Sequence, residues 1–375
     1  MAPSADFQDR AAGAIMGAFI GDALGVGPHW YYDVDEMRKE FGWITDYTDP
    51  KPGRYHEGVK AGEPSQAGII LELTLRSLVE KGGYDEPDWC GRMDELFKSV
   101  DGNRPMAGPG GYTSQSIRET WRRRVEDGLP WGPSVPGGGE GTAGRADTTE
   151  AIERTLAMAV RYARAPLMAA DAVASNAALT QADEIVQSIT VAFGATLGQL
   201  VQGHPLDAGI TARLFALNAE KKLPFHSVTR GADAGAVLPP DPNDVDPPRV
   251  GRFSSPDALF TPGTCAEAAA DPATRISPAW KVSIVYGKPC AIYHIVPAAY
   301  YLGALHRDDF EESVVNAVNG GGDDGCQNLA RAMLAGALVG AQVGLSGIPP
   351  RFLTGLANSE ALVALAKELA RQADA

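Results

Sequence analysis

The sequence predicts an all-α fold in one compact domain spanning residues 1–375. Apolar residues recur at helical spacing from near residue 10 to near residue 372, and the alternating runs typical of strands are almost absent. The segment 282–286 is the one weak strand candidate. Two stretches predict long loops: 129–146, which is rich in Gly and Pro, and 229–262, which is rich in Pro and Asp. Because composition does not break between the helical stripes, one domain is favoured over two.

The predicted helices are defined by apolar stripes and by residues typical of helix ends. Ser65 or Pro64 can begin a helix that Gly82–Gly83 would end. Asp147 and Glu150 have the spacing of a capping box, with Asp147 as N-cap and Glu150 at the third helical position. The further stripes are Ile152–Val160, Ile185–Leu200, Ile210–Leu217, Val314–Val318 and Leu362–Leu369.

Charge and cysteine content narrow the class of partner. The formal net charge of −14 should repel phosphate backbones, so neither nucleic acid nor an anionic membrane is expected to bind. The four cysteines form no CxxC pair, which argues against a zinc site or a disulfide framework. No secretion signal is visible, and the apolar runs near 11–21 and 333–345 are too short to span a membrane. We expect a cytoplasmic protein that acts on a small molecule; its number of subunits is open.

Two segments carry glycines four residues apart: Gly13, Gly17, Gly21 and Gly25 near the start, and Gly336, Gly340 and Gly344 near the end. Gly costs about 1 kcal/mol relative to Ala inside a helix. The repeated spacing therefore predicts two helices whose glycine faces allow close backbone approach. Asp22 lies among apolar neighbours on the first segment. A buried carboxylate needs hydrogen bonds, so it ties down a neighbouring loop more simply than it reacts.

Polar residues follow each glycine segment. The run at 29–33, His-Trp-Tyr-Tyr-Asp, suits acid–base chemistry or ring stacking with a ligand. The alternative is that its aromatic rings only pack over the hydrophobic core. The glycine-rich loop at 319–328 runs into a helix, so its backbone N–H groups would accept an anion. Its paired Asp323 and Asp324 would instead suit a hard cation, and a plain turn remains an alternative. Cys326 could be a nucleophile activated by the helix end, although a small buried thiol is the simpler interpretation.

Together, the two segments resemble the ADP-ribosylglycohydrolase family. Residues 17–25 resemble its opening glycine helix, G-x-x-x-G-D-A-L-G. Residues 319–341 resemble its closing segment, G-G-D-x-D-x followed by a G-A-L-x-G-A helix. The resemblance implies a single compact, orthogonal all-α domain with a central cleft that holds two magnesium ions.

The sequence departs from the family at the metal motifs. Where the family has T-D-D-T, residues 62–66 read Gly-Glu-Pro-Ser-Gln, and the closing motif keeps Asp323 but shifts its second aspartate. The branch that includes the jellyfish J1 crystallins and selenoprotein J has a similarly degraded metal site. That branch also has a His-Trp-Tyr-Tyr-Asp run and an Arg-Tyr-His stretch, which are similar to residues 29–33 and 54–56 of this sequence. With Asp323 and Asp324 as metal ligands, one weakly bound magnesium ion is expected at most.

The resemblance places His29 and His56 at the border of the same cleft. We expect His29, His56 and Asp323 to be catalytic, with Asp323 or Glu63 orienting one imidazole. The residues expected to contact substrate are Tyr31, Tyr32, Asp33, Tyr55, Glu63, Ser65, Gln66, Tyr112, Asp324, Cys326 and Asn328.

Three functions fit this sequence. The first is a hydrolase acting on an ADP-ribosyl or related nucleoside-type small molecule, with weak or absent magnesium dependence. The second is a repurposed fold in which histidine and tyrosine carry out acid–base chemistry, as in an isomerase, lyase or cyclase. The third is a non-catalytic structural or ligand-binding protein, as the crystallin likeness suggests. Bound cations near Asp323 would favour the first, a closed aromatic pocket the second, and a filled cleft the third.

Overall fold

The computed structural model describes residues 5–134, 138–226, 251–287, 289–321 and 328–375. Within these ranges the chain forms sixteen α-helices and one short hairpin, so the all-α prediction is confirmed. The elements in chain order are α1 Phe7–Val26, α2 Val34–Phe41, α3 Gln66–Lys81, α4 Glu86–Phe97, β1 Ala107–Gly108, β2 Gly111–Tyr112, α5 Gln115–Trp121, α6 Glu150–Arg161, α7 Pro166–Ala177, α8 Glu184–Val201, α9 Ile210–Ala219, α10 Thr261–Ala270, α11 Val282–Tyr286, α12 Ile292–Leu305, α13 Phe310–Val318, α14 Asn328–Val343, α15 Pro350–Gly355 and α16 Ser359–Asp374.

Helices α1 and α14 cross at the centre of the molecule, each buried on all sides. A Cβ on Gly17 would lie 2.1 Å from the carbonyl oxygen of Gly336, and one on Gly13 would lie 2.3 Å from that of Gly340. The two backbones therefore touch, and the predicted close approach is confirmed. Gly344 does not belong to the glycine face of α14, because the helix ends at Val343 and Gly344 has φ +76°.

The other helices surround this crossing. Helix α16 packs on α1, and α6 packs on α3, α7 and α8. By length and composition α8 could span a membrane, yet 83% of it is buried, as expected of a core helix. A second, smaller cluster around Trp89 and Phe97 joins α4 to α5. The arrangement leaves the last turn of α1 facing the first turns of α3 and α6, which positions the site described below.

Two sequence predictions about secondary structure are wrong. The segment 282–286 is helix α11, because packing in the core overrides the strand preference of its β-branched residues. Val282 and Ser283 are buried, and the Ser283 hydroxyl donates to the Gly320 carbonyl at 2.8 Å. Helix α6 begins at Glu150, with Thr149 rather than Asp147 as N-cap.

A distant glutamine replaces the predicted capping box of α6. The Gln181 side-chain oxygen accepts from the Ala151 N–H at 3.0 Å, and its amide N–H₂ donates to the Thr148 carbonyl at 2.8 Å. Both ends of one amide therefore serve the helix start. Since Gln181 lies 30 residues further along the chain, local spacing did not reveal it.

The two predicted loops differ in how far the structure describes them. In 129–146, residues 135–137 lie outside the described ranges, and the rest contains no helix or strand. In 229–262, residues up to 250 lie outside the described ranges. A 3₁₀ turn at Asp257–Leu259 leads into α10 at Thr261, so helical structure begins before the predicted loop end.

Candidate functional site

A small, partly enclosed cavity of about 30 Å³ lies between the turn that follows α1 and the first turns of α3 and α6. That space holds about two water molecules, so a larger ligand requires the lining side chains to move. Polar and aromatic groups from five separate segments meet there: His29, Trp30, His56, Ser65, Gln66, Tyr112, Ser114, Glu150, Glu153 and Arg154.

Two buried imidazoles form one wall. His29 Nδ1 lies 2.7 Å from His56 Nε2, and His56 Nδ1 lies 3.1 Å from the Gly110 carbonyl oxygen. Because a carbonyl only accepts, His56 Nδ1 carries a proton. Burial lowers the pKa of His56 to about 4, so at neutral pH its Nε2 accepts the proton of His29 Nδ1. The assigned tautomers leave His29 Nε2 as the basic atom of the pair.

Aromatic rings pack over the imidazoles. The Trp30 indole stacks on His29 with ring centroids 4.0 Å apart and meets Tyr112 edge-on at 4.3 Å. Tyr55, which is 41% exposed, extends this group to the surface. Trp30 has φ +59°, a conformation that is uncommon for a bulky residue and that costs about 1–3 kcal/mol. The surrounding rings hold the indole in this orientation.

Two glutamates from the first turn of α6 also line the cavity. The Thr148 hydroxyl donates to Glu150, and the Thr149 hydroxyl donates to Glu153 Oε1 at 2.6 Å. Burial, reinforced by the charge of Glu150, raises the pKa of Glu153 well above its usual range. The raised pKa favours the protonated form of Glu153, which is the form that can donate a proton into the cavity.

Arg154 is a fully buried cation next to these acids. Its guanidinium donates to the Asn176 side-chain oxygen at 2.7 Å and to the Thr180 hydroxyl at 2.8 Å. Further N–H groups donate to the backbone carbonyls of Asn176 and Glu150. Burial lowers the pKa of Arg154 to about 10, which keeps it charged at neutral pH. Its positive charge lowers the pKa of Glu153 and so limits the effect of burial on that acid.

Asp22 holds the start of α3 in place. Its two carboxylate oxygens accept from the Ser65 N–H at 2.9 Å and from the Ser65 hydroxyl at 2.5 Å. Burial raises the pKa of Asp22 to about 6 despite these bonds. The contacts fit the loop-tying interpretation of Asp22. They also occupy the Ser65 hydroxyl, which accepts in turn from the Ala67 N–H.

The described residues do not offer the ligands of a binuclear magnesium site. Glu63, from the stretch that replaces the family's metal motif, is exposed, and its carboxylate accepts from the Lys60 N–H at 2.8 Å. Within the described ranges no group of three or more His, Cys, Asp or Glu side chains could hold a metal ion. Asp323, Asp324 and Cys326 lie outside these ranges.

Six residues that the sequence suggested as substrate contacts do not line the cavity: Tyr31, Tyr32, Asp33, Tyr55, Glu63 and Asn328. Glu63 was also expected to orient an imidazole, but its carboxylate is bonded to the Lys60 N–H. Tyr31 is in the core and donates to Glu40, and Tyr32 is 45% exposed. Asp33 is the N-cap of α2, where it accepts from backbone N–H groups. Asn328 is fully buried and donates to the Pro28 carbonyl at 3.0 Å. Successive side chains of an irregular turn point in different directions, so the run at 29–33 cannot line one wall.

The residues that line the cavity but were not predicted are chiefly Trp30, Ser114, Glu150, Glu153 and Arg154. A signal for the last three was present in the sequence. They are charged residues spaced i, i+3 and i+4 on a helix whose other residues are almost all apolar. Buried charges at such positions need partners or a function.

Comparisons with known proteins agree with this architecture. The sequence profile described as ADP-ribosylglycohydrolase matches residues 3–375. A solved structure described as "ADP-ribosylglycohydrolase-related protein complex" is similar in fold, with 20% identity, a TM-score of 0.60, and coverage of 98% of this chain and 99% of that one. No curated protein sequence matches. Because the family profile spans nearly the whole sequence, this chain belongs to the ADP-ribosylglycohydrolase family.

Proposed function

We propose that this chain hydrolyses a glycosidic bond in a nucleoside-type small molecule, ADP-ribosyl compounds included. Family membership supports a hydrolase-type activity in general terms. The observation that carries the finer proposal is that one cavity holds both a buried proton donor, Glu153, and a basic imidazole nitrogen, His29 Nε2.

Hydrolysis of a glycosidic bond needs a proton for the leaving group and a base for the attacking water. Glu153 donates its proton to the departing atom as the bond to the sugar breaks. His29 Nε2 takes a proton from water as the new carbon–oxygen bond forms. Transfer of that proton back to Glu153 through solvent restores both groups. His56 holds His29 in the tautomer that this step requires.

We also propose that turnover depends weakly or not at all on magnesium. The contacts of Glu63 and Ser65 support this, because both are committed to protein partners instead of facing a shared ion site. The half-buried Tyr112 ring lines the cavity and offers contact to a planar base or a sugar ring, whereas the Trp30 indole is covered by His29.

Assays of nucleoside and ADP-ribosyl glycosides, with and without a chelator, test the proposal. We expect Glu153→Gln and His29→Gln each to lower kcat by about 10²–10⁴-fold, the usual contribution of a positioned acid or base. Glu63→Gln, at an exposed site away from the cavity, is the matched control and should retain activity. Activity that is lost with a chelator and restored by magnesium, or that is unchanged in Glu153→Gln, would contradict the proposal.

The same donor and acceptor also suit a second candidate, an isomerase, lyase or cyclase that moves a proton within its substrate. The enclosed aromatic setting of His29 favours this alternative. Product formed in isotopically labelled water separates the two. Hydrolysis places one solvent oxygen in the product, whereas internal proton transfer places none. A chain that binds ligands without turnover would favour the non-catalytic alternative.

A further inference from the structure

Gln66 presents a polar atom to the cavity that no described residue satisfies. The side chain lines the cavity and is 3% exposed. Its amide nitrogen lies 3.3 Å from the Thr113 hydroxyl, but its oxygen has no hydrogen-bond partner among the described residues. Buried amide groups are nearly always paired in folded proteins. The unmet acceptor therefore indicates a group supplied from inside the cavity.

The position of Gln66 is rigid. It is the first residue of α3, directly after Ser65, which is bonded twice to Asp22. On the other side, a Cβ on Gly110 would lie 2.3 Å from the Gln66 backbone nitrogen, so the hairpin turn packs tightly on the helix start. These contacts fix the backbone from which the Gln66 side chain enters the cavity, so less ordering is needed when a ligand binds to it.

We infer that Gln66 recognises a carboxamide or lactam edge on a planar ring of the substrate. A carboxamide carries both an N–H donor and a carbonyl acceptor, so it satisfies Gln66 in either orientation of the glutamine amide. The ring itself would contact the half-buried side chain of Tyr112. The inference rests on the proposed function, since it identifies the planar ring as the leaving group that receives the proton of Glu153.

The charge of the cavity favours a neutral amide over an acid. Glu150 places a negative charge at the cavity, Glu153 is protonated, and the cation of Arg154 is already bonded to Asn176, Thr180 and the Glu150 carbonyl. A ligand carboxylate in place of the carboxamide would be repelled and would also lack the N–H donor. We therefore expect recognition of the amide, not of its hydrolysed acid.

Binding of three isosteric probes tests this without turnover: nicotinamide, nicotinate, and acetylpyridine, in which a methyl group replaces the amide N–H₂. Calorimetric titration should show that the wild type binds nicotinamide roughly 10-fold to 100-fold more tightly than either analogue. Gln66→Met, similar in size but unable to hydrogen-bond, should bind nicotinamide and acetylpyridine equally. Gln199→Met, a buried glutamine of α8 outside the cavity, is the control and should keep the wild-type preference.

The outcomes separate this inference from the proposed function. Equal binding of nicotinamide and acetylpyridine by the wild type, or an unchanged preference in Gln66→Met, would overturn the inference. Should Gln66→Met fail to fold, the side-chain amide resonance of Gln66 in the wild type should shift on addition of nicotinamide and not of acetylpyridine. Discrimination without glycoside turnover would contradict the proposed function alone, and turnover without discrimination would contradict the inference alone.

Discussion

Gly110 and Gly111 set the protonation pattern of His56 from one side. The Gly110 carbonyl accepts the proton of His56 Nδ1, and a Cβ on Gly111 would lie 2.6 Å from the same nitrogen. Both glycines have positive φ, so other residues would be strained there. A backbone turn between β1 and β2 therefore decides which nitrogen of His29 is basic, although neither glycine carries a functional group.

The buried His56 should make the stability of the protein depend on pH. Its pKa is about 4 when folded and about 6.5 when unfolded, so below pH 6.5 the unfolded chain takes up a proton that the folded chain does not. The stabilisation is complete above about pH 6.5 and is lost as pH falls toward 4. Relative to His56→Gln, the free energy of unfolding of the wild type should fall by about 3 kcal/mol across this window. Urea unfolding at several pH values measures the difference.

Asp22 supplies a control of opposite sign for the His56 measurement. Its pKa is raised by burial from 3.8 to about 6, so the folded chain takes up the proton first. Relative to Asp22→Asn, the wild type should therefore gain stability as pH falls from about 6 to about 4. A wild-type difference from His56→Gln that stays constant with pH would contradict the assigned neutral imidazole.

At the scale of elements, the crossing of α1 and α14 shows why glycine is placed inside two helices. Helical preference alone would favour Ala at these positions by about 1 kcal/mol. The facing carbonyl oxygens leave no room for a Cβ at Gly17 or at Gly336. The gain from dense packing along the two buried helices thus outweighs the intrinsic cost of glycine.

Ala substitutions on two helices should have opposite effects on stability. Gly17→Ala would place Cβ 2.1 Å from the Gly336 carbonyl oxygen, so we expect it to lower the free energy of unfolding by about 1–3 kcal/mol or more. Gly91→Ala, in exposed surroundings on α4 with nothing within 4 Å of the new Cβ, should raise it by about 1 kcal/mol. Thermal and urea unfolding of both variants measure the effect. A stabilised Gly17→Ala protein would show that the helices can separate at little cost.

At the scale of the whole molecule, helix α3 connects two hydrophobic clusters. Leu71 and Leu75 belong to the main cluster around α1 and α14, whereas Ile70 belongs to the smaller cluster around Trp89. Tyr84 packs against both clusters. Because both clusters include residues of α3, loss of packing in one cluster would expose apolar side chains of the helix that also supports the other cluster.

We therefore expect a single unfolding transition. Tryptophan fluorescence, to which Trp89 and Trp121 of the smaller cluster contribute, should report the same midpoint as far-ultraviolet circular dichroism, which follows all helices. Trp89→Phe, which retains an aromatic ring, serves to identify the contribution of the smaller cluster to the fluorescence change. Two separated midpoints would contradict the prediction of one domain over residues 1–375.

Sequence reasoning reached some parts of the candidate site and missed others for a physical reason. His29 and His56 were identified because they lie in stretches that resemble a branch of the family, and Gln66 because it lies where the family has a metal motif; the structure brings all three to one cavity. Glu153 and Arg154 were missed because they lie within an apolar helical stripe, where periodicity predicts only core. Their meaning depends on Thr149, Asn176 and Thr180, whose contacts with them span up to 26 residues.

The sequence by itself determined the all-α class, the close approach of α1 to α14 and the family. Helical periodicity and glycine spacing are local properties that a linear chain displays directly. Only the tertiary structure decided that His29 Nδ1 and His56 Nε2 lie 2.7 Å apart and that burial raises the pKa of Glu153 in the same cavity. Those properties arise from burial and from contacts between distant segments, which no single stretch of the chain contains.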